Sequence, residues 1–104
     1  MTKIKAKNIL ITGGASGIGK IMGRRVLEKG AKSLIIWDVN QQSMQNVVDE
    51  LSSYGRVHIY KVDITDSQLV AQTYQQVKQD CGNVAILINS AGIVRRNKTF
   101  AQQT

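Results

Sequence analysis

The stretch Asn8 to Lys20 reads N-I-L-I-T-G-G-A-S-G-I-G-K. An apolar, β-branched run gives way to a glycine-rich turn and then to the first turn of a predicted helix. Such a junction aims several backbone N–H groups and the positive end of a helix dipole at one place, and that place binds phosphate. Other reactive groups are sparse. The single cysteine, Cys81, excludes an internal disulfide and a multi-cysteine metal site. A catalytic thiol would want a histidine, and the one histidine, His58, sits in a predicted strand. Cys81 is therefore expected to be a buried helix residue, and no metal site is expected.

Three templates compete for the loop. The dinucleotide fingerprint G-x-G-x-x-G fails, because Gly17-Ile18-Gly19 is followed by Met22 where a third glycine belongs. The P-loop G-x-x-x-x-G-K-[ST] fits from Gly14 to Lys20, and Asp63 would pass as a metal-holding acid. It breaks at Ile21, which has no hydroxyl for magnesium. The pattern T-G-x-x-x-G-[IL]-G is met in full by Thr12, Gly13, Gly17, Ile18 and Gly19.

The elements that must carry this loop follow from periodicity. Strand and helix alternate strictly, which predicts a parallel sheet with helical crossovers. Strands are expected at Asn8–Thr12, Ser33–Trp37, Val57–Val62 and Val84–Ile88. Helices are expected from about Gly17 to Lys29, Gln41 to Ser53 and Thr65 to Asp80. Ile18, Ile21, Met22 and Val26 would form the inward face of the first, with Gly23 letting it lie close to the sheet. Met44, Val47, Val48 and Leu51 would do so in the second, and Val70, Tyr74, Val77 and Cys81 in the third. Thr65 with Gln68 reads as a capping box.

Right-handed crossovers with the glycine-rich turn at the switch point predict the spatial order 3-2-1-4. Val57–Val62 alternates apolar and polar residues, as an edge strand does. The fourth strand is apolar throughout, a pattern for the centre of a sheet, yet it too would be an edge. The chain thus reads as an α/β, Rossmann-like half of a larger doubly wound sheet.

The T-G-x-x-x-G-[IL]-G loop resembles that of the short-chain dehydrogenase/reductases, and three more positions support the likeness. Asp38 ends the second strand about 20 residues beyond the loop, where a carboxylate meets the adenosine ribose. Asp63 and Ile64, in V-D-I-T-D, are similar to the family's adenine-contacting pair. Asn89-Ser90-Ala91-Gly92 resembles the family's N-N-A-G, with serine in place of the second asparagine. Singly, each has a plainer reading: a turn residue, a solvent-facing acid, a simple turn. Together, in order after four strands, they imply a partial NAD(P)-binding Rossmann domain over residues 1–104. The cofactor-binding residues implied are Gly13, Ser16, Gly17, Ile18, Gly19, Asp38, Val39, Asp63, Ile64, Asn89, Ala91 and Gly92. Asp38 would repel a 2′-phosphate, and neither Val39 nor Asn40 offers a cation for it, so NAD is expected over NADP.

The family's hydride transfer uses a Tyr-x-x-x-Lys pair with a serine upstream, the lysine lowering the tyrosine's pKa. Tyr74-Gln75-Gln76-Val77-Lys78 has the spacing but lies on the helix before the fourth strand, whereas the family's pair follows a fifth. It is expected to be a core tyrosine beside a solvated lysine. Ser90 lacks a histidine partner and is no nucleophile. No catalytic residue is therefore assigned. The resemblance implies an oxidoreductase acting on an alcohol or ketone, with this chain as its inactive, cofactor-holding piece. The full-length parent is expected to be a homo-oligomer. A non-catalytic NAD-binding module stays open as an alternative, as does a degenerate P-loop nucleotide binder. Trp37-Asp38-Val39-Asn40 is similar to the retinol and 17-beta-hydroxysteroid dehydrogenase branch, which does not name a substrate.

The formal charge is +7, but the cations are scattered and few aromatics accompany them, so no nucleic-acid surface is expected. No run is long enough to span a membrane, and no apolar segment follows the basic Met1–Lys7, so a cytoplasmic protein is expected.

Overall fold

A computed structural model describes residues 4–90. The order is β1 (Asn8–Thr12), α1 (Gly17–Glu28), β2 (Ser33–Asp38), α2 (Gln41–Leu51), β3 (Val57–Lys61), α3 (Ser67–Cys81) and β4 (Ile86–Asn89). The four strands form one parallel sheet in the order β3-β2-β1-β4, as predicted. Its register sets Ile9 beside Leu34 and Ile86, and Thr12 beside Trp37 and Asn89.

Alternation along the strands divides the core into two layers. Ile9, Ile11, Leu34 and Ile36 face α1 and α2, meeting Val26, Leu27, Met44, Val47 and Leu51. Leu10, Ile35 and Trp37 face α3, meeting Val62 and Val77. At the strands' amino ends Asn8 ties the layers together. Its amide donates to the Cys81 and Asn83 carbonyls at 3.0 and 2.9 Å, and its Oδ1 accepts from Ser33 Oγ at 2.6 Å.

Several sequence expectations change. Ile18 and Ile21 are 48% and 57% exposed, so they are not on the inward face of α1. That face is Gly19, Gly23, Val26 and Leu27, because two glycines spaced one turn apart let the helix lie directly on the sheet. Thr65 does not cap α3. Asp63 Oδ1 takes both its N–H and its hydroxyl, at 2.9 and 2.6 Å, and the cap passes to Asp66, which accepts from Leu69 N at 3.0 Å. Tyr74 is exposed rather than inward; Thr73 and Val77 are the buried residues of α3.

The fourth strand starts at Ile86 rather than Val84 and lies at the sheet edge. Ile86 and Ile88 pack towards the α1 layer, whereas Leu87 points to the other face and is 63% exposed. A cleft of about 670 Å³ runs beside it, walled by Val70, Ala71 and Tyr74 of α3 and floored by Leu10 and Trp37. The apolar pattern of this strand is thus satisfied on one face only.

Tyr60 on β3 donates to Asp80 Oδ2 at 2.7 Å, and Gln76 donates to Asp80 Oδ1 at 2.9 Å. These bonds, the tyrosine's first, hold the Asp80 carboxyl below the ordinary carboxylate value. A depressed folded-state pKa stabilises the fold above the unfolded value, near 3.9, and that contribution is lost as pH falls through the folded value. Tyr60→Phe is therefore expected to melt lower than wild type at pH 6, with the gap closing below about pH 4. A gap that stays constant from pH 6 to pH 2 in thermal melts would refute the link.

Candidate functional site

The cradle lies at the carboxyl ends of β1, β2 and β4, where the strand order reverses around β1. Open α/β sheets bind ligands at such a switch point. β1 ends at Thr12, and the chain turns through Gly13 at φ 70°, a left-handed conformation that glycine adopts without a Cβ clash. Gly13 N donates to the Trp37 carbonyl at 2.7 Å, and Ser16 N donates to the Gly13 carbonyl at 3.1 Å, closing the turn. Ser16 then caps α1, its Oγ accepting from Gly19 N at 3.2 Å.

Gly19 permits a very close approach of backbone to backbone. A Cβ there would stand 2.5 Å from the Gly13 carbonyl oxygen and 2.6 Å from Gly14 Cα. The first turn of α1 is thereby pressed against the loop that precedes it. Gly17 is the opposite case, with nothing within 4 Å of where its Cβ would be.

This geometry leaves unused donors. Among the described residues the N–H groups of Gly14, Gly17 and Ile18 have no acceptor, while those of Gly13, Ala15, Ser16 and Gly19 are all taken. No acid lies in the first turn of α1 itself. Free donors and open space at Gly17 beside the start of a helix suit a phosphate group.

Asp38, at the end of β2, reaches the loop. Its Oδ2 accepts from Ala15 N at 3.1 Å and its Oδ1 from Val39 N at 2.7 Å. This bracing of the loop by the same carboxylate is not legible in the sequence. No ion pair among the described residues involves Asp38. Thr12 Oγ1 donates to Asn89 Oδ1 at 2.8 Å, locking the ends of β1 and β4 together. Ile64, Trp37, Thr12 and Asn89 all line the apolar cleft. Asp63 is exposed, and the Thr65 hydroxyl and then its N–H hold its carboxyl below the ordinary value. Ala91 and Gly92 lie outside the described residues.

Sequence reading weighed Ser90 only as a departure from N-N-A-G and as a nucleophile, and gave it no role. It is fully buried, and its hydroxyl donates to the carbonyls of Thr12 at 2.7 Å and Gly13 at 3.0 Å. Its place directly after the asparagine that pairs with Thr12 was the available signal.

Other candidates dissolve. Lys20, the residue a P-loop would aim at phosphates, is paired with Glu50 of α2 at 3.0 Å. Tyr74 lines the cleft beside β4 and Lys78 lies outside it. Cys81 is half-buried rather than buried as expected, and desolvation first of all pushes its thiol above its ordinary value. Among the described residues no group of three His, Cys, Asp or Glu is placed to hold a metal. None of the described helices is long and apolar enough to cross a membrane.

The sequence profile of the family described as short chain dehydrogenase matches residues 7–104. The chain belongs to this family. Human short-chain dehydrogenase/reductase 3 is 30% identical over 92 residues, covering 88% of this chain and 30% of the relative. Mouse epidermal retinol dehydrogenase 2 is 39% identical over 88 residues, covering 83% and 28%. Among solved structures, a hydroxysteroid dehydrogenase from Escherichia coli superposes with a TM-score of 0.77 at 31% identity, covering 84% of this chain and 37% of that one. The chain thus spans about 30% of the length of the curated relatives it matches. Two neighbours that share the fold at 24% identity were solved as an NAD+-bound xylitol dehydrogenase and as an NADP active-site complex.

Proposed function

We propose that this chain is the cofactor-holding part, a partial Rossmann domain, of an NAD-dependent short-chain oxidoreductase acting on an alcohol or ketone. The observation that carries the reading is the set of unused N–H groups at Gly14, Gly17 and Ile18, beside a carboxylate at Asp38. In this reading the N–H groups of Gly14, Gly17 and Ile18 and the Ser16 hydroxyl hold the diphosphate, while Gly13 and Gly19 shape the loop around it. Asp38 accepts from the adenosine ribose hydroxyls, with Val39 beside it, and Asp63 and Ile64 hold the adenine. Asn89, Ala91 and Gly92 form the wall on the β4 side. When bound, the nicotinamide supplies or accepts the hydride.

The chain's own residues bind and orient the dinucleotide. The described residues contain no acid/base pair facing the cradle, so proton transfer and substrate binding belong to polypeptide outside them. The apolar, half-covered β4 and its cleft are consistent with further structure packing there. The substrate is a small alcohol or ketone in the full-length protein, a homo-oligomer in the cytoplasm.

Purified 1–104 is expected to bind NADH more tightly than NADPH in titration calorimetry, and to show no NADH oxidation with carbonyl substrates. Equal affinity for the two dinucleotides would remove the assignment of NAD, and turnover above the buffer background would remove that of a purely cofactor-holding piece. Magnesium-dependent ATP binding in place of NADH would point to the P-loop reading.

A further inference from the structure

We infer that Ser90 is a positioning residue for the dinucleotide, its buried hydroxyl holding the glycine-rich loop in the shape that receives the diphosphate; this rests on the cofactor reading above. An ordinary buried serine satisfies its hydroxyl on a carbonyl of its own turn or helix. Ser90 instead reaches two consecutive carbonyls, of Thr12 and Gly13, that are 78 and 77 residues away in sequence. One proton shared between them turns both peptide planes towards β4.

The consequence lies on the opposite side of each plane. In a trans peptide the N–H points away from the preceding C=O. With the Thr12 carbonyl turned to Ser90, the Gly13 N–H faces β2 and reaches the Trp37 carbonyl at 2.7 Å. With the Gly13 carbonyl turned to Ser90, the Gly14 N–H faces away from it, and that is one of the three donors without an acceptor. The same Oγ would lie 2.9 Å from a Cβ on Gly19, so it also abuts the first turn of α1. A single hydroxyl therefore touches the end of a strand, the left-handed residue of the loop and the start of the helix. Both carbonyls would lose this donor if the hydroxyl were removed.

The test uses the 104-residue chain with Ser90→Ala and Ser90→Cys, the latter keeping nearly the same volume with only a weak S–H donor. Amide hydrogen exchange and NADH titration are both measured. Both variants are expected to speed exchange at Gly13 and Ser16 about tenfold and to weaken NADH binding about five- to tenfold, the scale of one buried hydrogen bond. Exchange at Leu34 and Val62, whose N–H groups bond to Arg56 and Asp38 across β2 and β3, is expected to stay unchanged. Unchanged exchange at Gly13 and Ser16, a uniform rise across the whole sheet, or an unaltered NADH affinity each overturns the proposal. A wild-type chain that takes up no NADH sinks the cofactor reading instead, and the exchange pattern alone then decides whether Ser90 holds the loop.

Discussion

Gly19→Ala is expected to abolish measurable NADH binding and to destabilise the fold by about 1–3 kcal/mol, the usual cost of forcing a methyl into a closed contact. The methyl would meet the Gly13 carbonyl oxygen at 2.5 Å and Gly14 Cα at 2.6 Å. Both are backbone atoms, so neither can swing aside as the end of a side chain can. Relief requires moving α1 off the loop or re-pointing the Gly13 peptide, and either change disturbs the donors at Gly14 and Ile18. Gly17→Ala provides the contrast. Its methyl meets nothing within 4 Å, and alanine is a better helix former than glycine, so the fold keeps its stability or gains slightly. Because that same space is where the diphosphate would lie, its NADH affinity is nonetheless expected to fall. Urea melts with parallel NADH titrations separate the cases. A Gly19→Ala protein that binds NADH like wild type would show that the cradle is not the site.

Asp38 variants are expected to change which dinucleotide is preferred. A 2′-phosphate about 4 Å from a carboxylate costs about 1–4 kcal/mol between water-like and surface-like screening, roughly a fivefold to thousandfold discrimination. Asp38→Asn removes the charge but keeps an oxygen able to accept from Ala15 N or Val39 N. It is expected to bring the NADPH affinity up to that for NADH while the loop stays in place. Asp38→Ala removes the brace as well, and should weaken both dinucleotides together. If Asp38→Asn leaves the NADH to NADPH ratio unchanged in calorimetry, the carboxylate does not set the preference. If Asp38→Ala matches Asp38→Asn for NADH, the bond from Ala15 N has no part in binding.

Much of this was legible in the residues. The order 3-2-1-4 follows from right-handed crossovers and the position of the glycine-rich turn, both local and chiral constraints that one chain carries in its own pattern. The T-G-x-x-x-G-[IL]-G pattern announces the turn and the helix start, and Gly23 announces the close approach of the first helix to the sheet. The misreadings share a cause. Ile18 and Ile21 looked inward because apolar residues usually are, but the stripe that packs is chosen by where the backbone can come closest, and glycines at 19 and 23 outcompete larger side chains for it. Thr65 lost its cap to Asp63, a competition between two short side chains that spacing does not resolve.

The glycine-rich turn, with the helix start after it, is therefore determined by sequence, since the residue types favour both within a few positions. Which of its N–H groups stay free was decided only in three dimensions. Asp38 takes the one at Ala15 from across the sheet, and Ser90 turns the peptide that carries Gly14 from the end of a strand far along the chain. Hydrogen bonds between distant residues depend on register and on which strands are neighbours, and those are properties of the assembled sheet.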